Sequence, residues 1–367
     1  MVKARQGQLD QLQVLRAFAA LIVALEHVFH ELDPVLGTHL FGNMWFDLQS
    51  GVDLFFVLSG FIIVYVTRDW FGNASFRNTF LYRRITRIAP IYWVYTTLML
   101  GVIVLAPQLT TVQTSPLHTL ASYLFVPWPF PTGGIGPILG VGWTLLYEMM
   151  FYVCFAFVVG MRMWRAIGTL ALLFGSLVLL RIAFFPNMPF LLSYWSNPII
   201  LEFLAGAVIG GLYLQFGKRL HWGVAAGLVA FAFFWLVLAK QVPAFEAQER
   251  IFREGVPAAI ILFALTFGTK SLPANLSWPK PLVQLGDASY SLYLSHFFSI
   301  GLTLAIAGKL GIMGWFPPIV WIGVLMAACI TVGMVSYLLI EKPVMNLARR
   351  HDPKRRAAVT ADPATAR

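Results

Sequence analysis

Residues 222–239 read WGVAAGLVAFAFFWLVLA, eighteen successive positions without a charged side chain. This length is close to the roughly 20 residues with which an α-helix crosses the hydrocarbon core of a bilayer. The apolar residues are continuous rather than alternating, which indicates a helix and not a strand of a membrane barrel. Cutting the rest of the chain at clusters of charge, proline and glycine predicts nine further spans: 12–30, 49–67, 87–106, 138–160, 166–185, 194–216, 256–270, 285–307 and 317–340. The sequence therefore predicts an all-α polytopic membrane protein with about ten transmembrane helices.

The composition of the 367-residue chain supports this class. Hydrophobic residues make up 59% and charged residues only 11%, with a mean hydropathy of +0.75, so a water-soluble enzyme, which could not cover its surface, is excluded. Lys and Arg outnumber Asp and Glu by 26 to 16, an excess that indicates membrane orientation and contact with anionic lipid rather than nucleic acid. Cys154 and Cys329 lie far apart within apolar runs, so neither a disulfide nor a metal site is expected.

The basic residues between the spans predict the orientation. When loops are assigned alternately to two sides, twenty basic residues fall on one side and five on the other, which predicts that both termini are cytoplasmic. Lys3 and Arg5 precede an apolar stretch, as in a signal peptide, but Arg16 within it and the lack of a cleavage site favour a permanent helix. A single transmembrane domain is predicted over 1–348, followed by a basic, disordered tail over 349–367.

Ionisable side chains within the spans indicate where function lies, because each costs about 3 kcal/mol at membrane depth unless it faces protein or water. Arg16 and His27 in the first span are eleven residues apart, which is three helical turns and about 20°. They therefore share one helix face, about 16 Å apart along the axis, with Arg16 toward the cytoplasmic end. The structural alternative is that Arg16 extends to the interface and His27 only makes a hydrogen bond within the fold.

The third span opens with the run YRRITR at residues 82–87. Arg84 and Arg87 are three apart and share a helix face, and their planar guanidinium groups suit bidentate phosphate recognition. Arg83 lies beside them. The alternative is the ordinary positive-inside signal of a membrane boundary.

The fourth span contains WTLLYE, in which Trp143, Tyr147 and Glu148 lie within a turn and a half. A carboxylate this far into a span needs a partner. That partner could be Arg16, a histidine or a substrate hydroxyl.

The ninth span begins GDASYSLYLSH, where Ser289, Tyr293 and His296 form one stripe at i, i+4 and i+7. Such a stripe faces protein or water, and it serves either contact between helices or contact with substrate. Three further acidic residues in the spans are equally packing partners or site residues: Asp53, Glu202 and Glu341.

Five of these stretches form an ordered series: Arg16 through His27 (R-x10-H), GVDLFFVLSGF at 51–61, RITR at 84–87, WTLLYE at 143–148 and SYSLYLSH at 289–296. Together they resemble the motifs of the acyltransferase-3 family of membrane acyltransferases, over roughly residues 12–343. Ser193-Tyr194-Trp195 and the closing Glu341-Lys342-Pro343 make the chain most similar to the exopolysaccharide acetyltransferase branch.

The resemblance implies an acyl-CoA-dependent O-acyltransferase with acetyl-CoA or another acyl-CoA as co-substrate and no permanently bound cofactor. Arg84, Arg87 and Arg83 would hold the nucleotide phosphates at the cytoplasmic mouth. The pantetheine arm would pass Arg16 and bring the thioester to His27. His27 would act as general base toward a sugar hydroxyl, with a covalent acyl-His relay as the open alternative.

Secondary roles follow from the same resemblance. Glu148 would orient His27 or hold the acceptor, and a neighbouring hydroxyl or imidazole would donate to the developing oxyanion. Tyr147, Tyr293 or His296 would be that donor, and Trp143 and Asp53 are further secondary candidates for the site.

The expected partners are acyl-CoA, a carbohydrate acceptor, membrane lipid and the polysaccharide-synthesis machinery, in a bacterial inner membrane and without nucleic acid. The competing class is a polytopic transporter or flippase of a lipid-linked sugar, which would also place ionisable groups at mid-membrane. No inverted repeat is visible, and a transporter has no use for a CoA thioester. Within the enzyme class, a donor such as succinyl-CoA and a small-molecule acceptor both stay open.

Overall fold

A computed structural model describes residues 9–40, 42, 44–185, 187–217, 220–246, 248–268 and 278–352. Lys3, Arg5, Lys218, Arg219 and Lys270, which enter the orientation count, lie outside the described residues, as does 353–367 of the predicted tail. Fifteen α-helices are present in the described part: α1 (Asp10–Leu36), α2 (Ser50–Val66), α3 (Arg77–Leu105), α4 (Pro116–Tyr123), α5 (Trp143–Val158), α6 (Met163–Phe184), α7 (Phe190–Trp195), α8 (Ile200–Phe216), α9 (Trp222–Gln241), α10 (Pro243–Glu246), α11 (Val256–Gly268), α12 (Lys280–Asp287), α13 (Ser289–Lys309), α14 (Pro318–Ser336) and α15 (Lys342–Arg350).

The predicted fold class is confirmed. Nine helical stretches of the described chain are long and apolar enough to cross a membrane, judged by length and composition, and α2 is a shorter apolar helix. These nine and α2 correspond to the ten predicted spans. The last helix continues to Arg350, so the first two residues of the predicted tail are helical, while the orientation of the termini and the domain boundary at 348 stay predictions.

Short irregular pieces complete the chain. Two π-helical turns, Ile251–Gly255 and Tyr337–Glu341, precede α11 and α15. A two-stranded antiparallel hairpin pairs β1 (Trp128–Pro129) with β2 (Ile135–Gly136).

The helix α4 shows how local sequence places a buried histidine outside the spans. Ser115 caps the helix by accepting from the backbone N–H of His118, and Pro116 occupies the first turn, where a missing N–H costs nothing. The His118 side chain is fully buried, and its Nε2 donates to the carbonyl oxygen of Gly136 at 2.9 Å. Burial lowers the pKa of His118, and the Gly136 bond opposes that shift.

The chain divides into two compact units. Unit 1 contains residues 1–62 and 205–334. Within it, α1 packs along α12 and α13. The closest approach is at Gly286, where a Cβ would lie 1.9 Å from the carbonyl oxygen of Gln13, so only glycine lets the two backbones meet there.

Unit 2 contains residues 63–204 and 335–367. In this unit α3 packs against α5 and α15, and its core is aromatic: Phe151 stacks on Phe203 with ring centres 4.9 Å apart. Two hydroxyls fasten α3 to the segment near the carboxyl terminus, because Tyr95 donates to Ser336 at 2.8 Å and Tyr82 donates to the carbonyl oxygen of Ala348 at 3.0 Å.

Candidate functional site

The predicted site residues divide between the two units. Unit 1 holds Arg16, His27, Asp53, Tyr293 and His296, while unit 2 holds Arg83, Arg84, Arg87, Trp143, Tyr147 and Glu148. Each group is described within its own unit.

In unit 1, His27 is held by groups of its own helix. Its Nδ1 donates to the carbonyl oxygen of Val23 at 3.0 Å, one turn earlier, and lies 2.5 Å from Oε2 of Glu26. A carbonyl oxygen only accepts, so Nδ1 carries a hydrogen and Nε2 of the neutral ring keeps its lone pair. The buried carboxylate of Glu26 would stabilise the imidazolium that forms when Nε2 takes a proton. Such an arrangement leaves Nε2 able to accept a proton.

A second histidine lies against the first. The rings of His27 and His296 meet edge to face with centres 4.7 Å apart. His296 is fully buried, and within the described residues its ring contacts backbone groups of Leu292 and Tyr293 on its own helix rather than a polar side chain. Tyr293 lies on the same helix with its ring centre 5.8 Å from that of His296. The predicted polar stripe therefore faces protein.

The other member of the first-helix motif, Arg16, lies on the same continuous helix as His27. Its Nη1 donates to Oε1 of Gln13 at 3.3 Å, and the side chain is half-buried. The two residues lie on one continuous helix, as predicted, and their spacing places them on the same helix face about 16 Å apart along the axis. The structure does not bring the two side chains together.

Asp53 belongs to a buried ion-pair network rather than to the histidine pair. Arg250 grips both of its oxygens, with Nε–Oδ1 at 3.0 Å and Nη2–Oδ2 at 2.7 Å, while Asp53 itself is fully buried. Glu254 contacts the same guanidinium at 3.1 Å and also accepts from Arg253 at 2.8 Å. Beside Glu254 is a cavity of about 30 Å³ lined in part by Asp47 and Lys240. The network links the start of α2 to the π-helical turn before α11.

In unit 2, Glu148 has a partner that the sequence analysis did not consider. The hydroxyl of Tyr152, one helical turn later, donates to Oε1 of Glu148. The guanidinium carbon of Arg84 lies 5.8 Å from the ring centre of Tyr152 and 5.7 Å from that of Phe80. Glu148 and Arg87 both interact electrostatically with Arg84. The sequence predicted Arg16, a histidine or a substrate hydroxyl as the partner of Glu148. Tyr152 was not among these candidates.

The predicted phosphate-binding arginines differ in their surroundings. Arg84 is hydrogen-bonded to the side chain of Tyr152, but its Nε is buried without a hydrogen-bond partner in the described part of the chain. Arg87 is half-buried, with its Nη1 4.0 Å from the sulfur of Met345. Arg83 pairs with Asp352 at 2.6 Å and lies over the ring of Trp70 at 4.9 Å. Arg83 is therefore already engaged by a carboxylate within the described part of the chain.

Trp143 and Tyr147 meet the residues that precede the sixth span. The Tyr147 ring stacks on that of Tyr194 with centres 4.7 Å apart, and Trp143 lies edge-on to Tyr147 at 6.0 Å. These contacts connect the WTLLYE and Ser193-Tyr194-Trp195 motifs, which lie about fifty residues apart in the chain.

Three residues of these clusters were missed: Glu26, Tyr152 and Arg250. The first two had a local signal, since Glu26 is the neighbour of His27 and Tyr152 is four residues after Glu148. Glu202 and Glu341 are both buried. Within the described residues, no group of three or more His, Cys, Asp or Glu side chains is placed to hold a metal ion, and Cys154 and Cys329 are free thiols.

Fold and site together define a multi-pass membrane protein with a carboxylate-supported histidine in one unit and an arginine cluster in the other. The family model described as "Acyltransferase domain" matches residues 9–338. The chain therefore belongs to the acyltransferase-3 family, as the motifs predicted.

Three relatives illustrate the similarity. Exopolysaccharide production protein ExoZ of Rhizobium meliloti is 34% identical over 310 residues, covering 82% of this chain and 90% of the relative. Putative peptidoglycan O-acetyltransferase YrhL of Bacillus subtilis is 28% identical over 369 residues, covering 90% of this chain and 54% of the relative. Acyltransferase MdmB of Streptomyces mycarofaciens is 28% identical over 396 residues, covering 98% and 97%. No solved structure matches the chain.

Proposed function

We propose that this membrane acyltransferase moves an acetyl or other short acyl group from cytoplasmic acyl-CoA to a sugar hydroxyl of an exopolysaccharide or its lipid-linked precursor, in a bacterial inner membrane. The observation that carries the proposal is His27, whose Nδ1 is occupied by Val23 and Glu26 so that Nε2 is the basic atom. The names of ExoZ and YrhL, which refer to exopolysaccharide production and peptidoglycan O-acetylation, support a carbohydrate acceptor.

The chemistry assigned to His27 is a direct transfer. The acceptor oxygen attacks the thioester carbonyl carbon while Nε2 takes the hydroxyl proton. The carbon–sulfur bond then breaks, the same proton passes to the leaving thiolate, and an ester and free CoA are formed. Glu26 holds the ring tautomer and balances the transient imidazolium, in the way a buried carboxylate supports a catalytic histidine.

The donor end is assigned to the arginine cluster. The buried Nε–H of Arg84 has no acceptor among the described residues, and a phosphate oxygen would supply one. Arg87 would add a second guanidinium. Arg83 would join only by exchanging Asp352 for phosphate. Membrane lipid and polysaccharide-synthesis enzymes are the proposed surroundings, with acyl-CoA as a co-substrate and no permanently bound cofactor.

The test uses the full-length protein in lipid nanodiscs with radiolabelled acetyl-CoA and de-O-acetylated exopolysaccharide from the cells that make the protein. We expect label in the polysaccharide, and we expect His27→Ala to remove it while the purified protein stays monodisperse. His30→Ala is the matched control, because His30 is an exposed histidine on the same helix. Transfer by His27→Ala at near the unsubstituted rate would remove His27 from the mechanism.

Two further outcomes separate the alternatives. Label that stays on His27 when acceptor is omitted, detected by peptide mass spectrometry, would replace the direct transfer by an acyl-His relay. Movement of a lipid-linked sugar across the bilayer without any acyl-CoA dependence would favour the transporter class.

A further inference from the structure

The motif Ser193-Tyr194-Trp195 has no role in the proposed chemistry, yet the structure builds a rigid aromatic cluster from it. Tyr194 stacks on Tyr147 with an angle of 11° between the ring planes. Trp195 stands perpendicular to both, 5.2 Å from Tyr194 and 5.8 Å from Tyr147, at 89° in each case. With Trp143 edge-on to Tyr147, these four rings are the aromatic platform.

Hydrogen bonds hold the residues of the aromatic platform in place. The Tyr147 hydroxyl donates to the carbonyl oxygen of Tyr194 at 2.9 Å, and the Tyr194 hydroxyl donates to that of Trp143 at 3.1 Å. Arg181 donates to the carbonyl oxygen of Ser193 at 2.7 Å and to its hydroxyl at 3.2 Å. The rings are therefore held in place by α5 and α6 rather than by their mutual stacking alone.

This arrangement differs from an interfacial aromatic belt. In a belt, Tyr and Trp point their polar atoms to the headgroups and their rings to lipid. Here both phenol hydroxyls turn inward to backbone carbonyls, while Trp143, Tyr194 and Trp195 stay half-buried and Tyr147 is buried. The two phenol hydroxyls are consequently engaged by the backbone and are not turned toward lipid headgroups.

We propose that the aromatic platform is the acceptor subsite and binds a pyranose through its C–H face. A sugar ring with equatorial hydroxyls presents axial C–H groups that pack closely on a flat aromatic face. An open-chain polyol has the same hydroxyls but no such face. The assignment rests on the proposed function for the identity of the acceptor, and it adds where the sugar is held and which feature of it is recognised.

The first test measures binding without any acyl donor. Saturation-transfer NMR on the full-length protein in nanodiscs would use a panel of cellotetraose, galactotetraose and chitotetraose, with sorbitol as the non-cyclic control. We expect transfer to the ring C–H protons of at least one oligosaccharide and none to sorbitol. Trp195→Leu should weaken that binding about tenfold or more, and Trp195→Phe, which keeps a flat ring, should restore most of it.

The matched control is Trp315→Leu, the same substitution at a tryptophan of unit 1 that is 73% exposed. Absence of transfer from every oligosaccharide, or equal losses in Trp195→Leu and Trp315→Leu, would overturn the subsite.

A second measurement distinguishes this failure from failure of the proposed function. In the acetyl-transfer assay, Trp195→Leu should raise the KM for polysaccharide about tenfold and leave the KM for acetyl-CoA unchanged. Unchanged transfer in Trp195→Leu would keep the O-acyltransferase and remove the platform. Oligosaccharide binding without any acyl-CoA-dependent transfer would keep the platform and remove the proposed donor.

Discussion

His27 in unit 1 and Arg84 in unit 2 are both ionisable groups within membrane spans, but they are held in opposite ways. Nδ1 of His27 is satisfied by Val23 and Glu26 of its own helix. Arg84 lies near the rings of Phe80 and Tyr152 and is hydrogen-bonded to the Tyr152 side chain, but its buried Nε has no acceptor among the described residues. A base must be oriented before substrate arrives, whereas a binding group gains by keeping a donor for its ligand. The difference therefore supports assigning chemistry to unit 1 and donor binding to unit 2.

The substitution with the largest expected effect is Glu26→Gln, which tests whether Glu26 supports His27 as a base. The amide keeps the size of the side chain but loses the charge that balances an imidazolium, so kcat should fall by about a hundredfold to ten-thousandfold. Steady-state acetyl transfer in nanodiscs gives the value, with Glu249→Gln, an exposed glutamate of the same unit, as control. A kcat within threefold of the unsubstituted protein would mean that Glu26 does not support the base.

The ion pairs of the two units should differ in strength. Arg250→Met leaves the fully buried Asp53 without its bidentate partner and should lower the free energy of unfolding by about 3 to 5 kcal/mol. Arg83→Met removes a pair whose arginine side chain is 44% exposed, so about 1 kcal/mol or less is expected. Thermal denaturation in detergent compares the two variants.

The double variant Arg250→Met/Asp53→Leu tests the cause of the larger loss. Because it removes the uncompensated charge, it should recover much of the stability. If it is no more stable than Arg250→Met, the lost packing of the arginine and not the buried carboxylate explains the effect.

Lysine at positions 84 and 87 tests whether the arginine cluster of unit 2 binds acyl-CoA. Arg84→Lys/Arg87→Lys keeps the positive charge, and with it the orientation, but loses the planar forks. Each lost charge-assisted bond should weaken acyl-CoA binding by about 1.5 to 3 kcal/mol, roughly ten- to a hundredfold. An acyl-CoA titration of purified protein measures this, and Arg162→Lys in another loop is the control. Equal donor affinity would leave the arginine cluster as an orientation signal.

The smallest expected effect on stability is that of His118, the buried histidine of unit 2 whose Nε2 donates to Gly136. Its pKa is lowered by burial, so the unfolded chain takes up a proton at a higher pH than the folded chain. Stability from His118 is thus fully present above pH of about 6.5 and decreases as pH falls from there toward the lowered pKa. Melting temperatures from pH 8 to pH 5 should fall less steeply in His118→Gln. Parallel curves would contradict the assignment.

The parts of the molecule that the sequence predicted are those encoded locally. Each of the ten spans is a largely apolar run, and the shared helix face of Arg16 and His27 follows from their spacing. Helix ends were less exact, because packing and capping extend α1 to Leu36 and begin α3 at Arg77.

The features of the candidate site that the sequence did not predict depend on contacts between residues far apart in the chain. The pairing of Asp53 with Arg250 joins residues 197 positions apart, and nothing in either segment specifies the other. The stack of Tyr147 on Tyr194 is likewise non-local. Tyr152 is different, because its spacing of four residues from Glu148 was visible and predicts a contact on one helix face. Glu26 was visible as the chain neighbour of His27, although adjacent side chains on a helix do not ordinarily face each other.

The close contact of α1 with α12 also has a consequence for the order in which the chain is synthesised. The helix that carries Arg16, Glu26 and His27 leaves the ribosome before α12, and the Gly286 surface that meets Gln13 is made about 270 residues after Gln13. At about 5 to 20 residues per second, the first helix waits roughly 10 to 50 s for this neighbour. Throughout that interval its ionisable groups must be shielded by the insertion machinery, by lipid headgroups or by helices made before α12, so the growing chain depends on temporary contacts for this span.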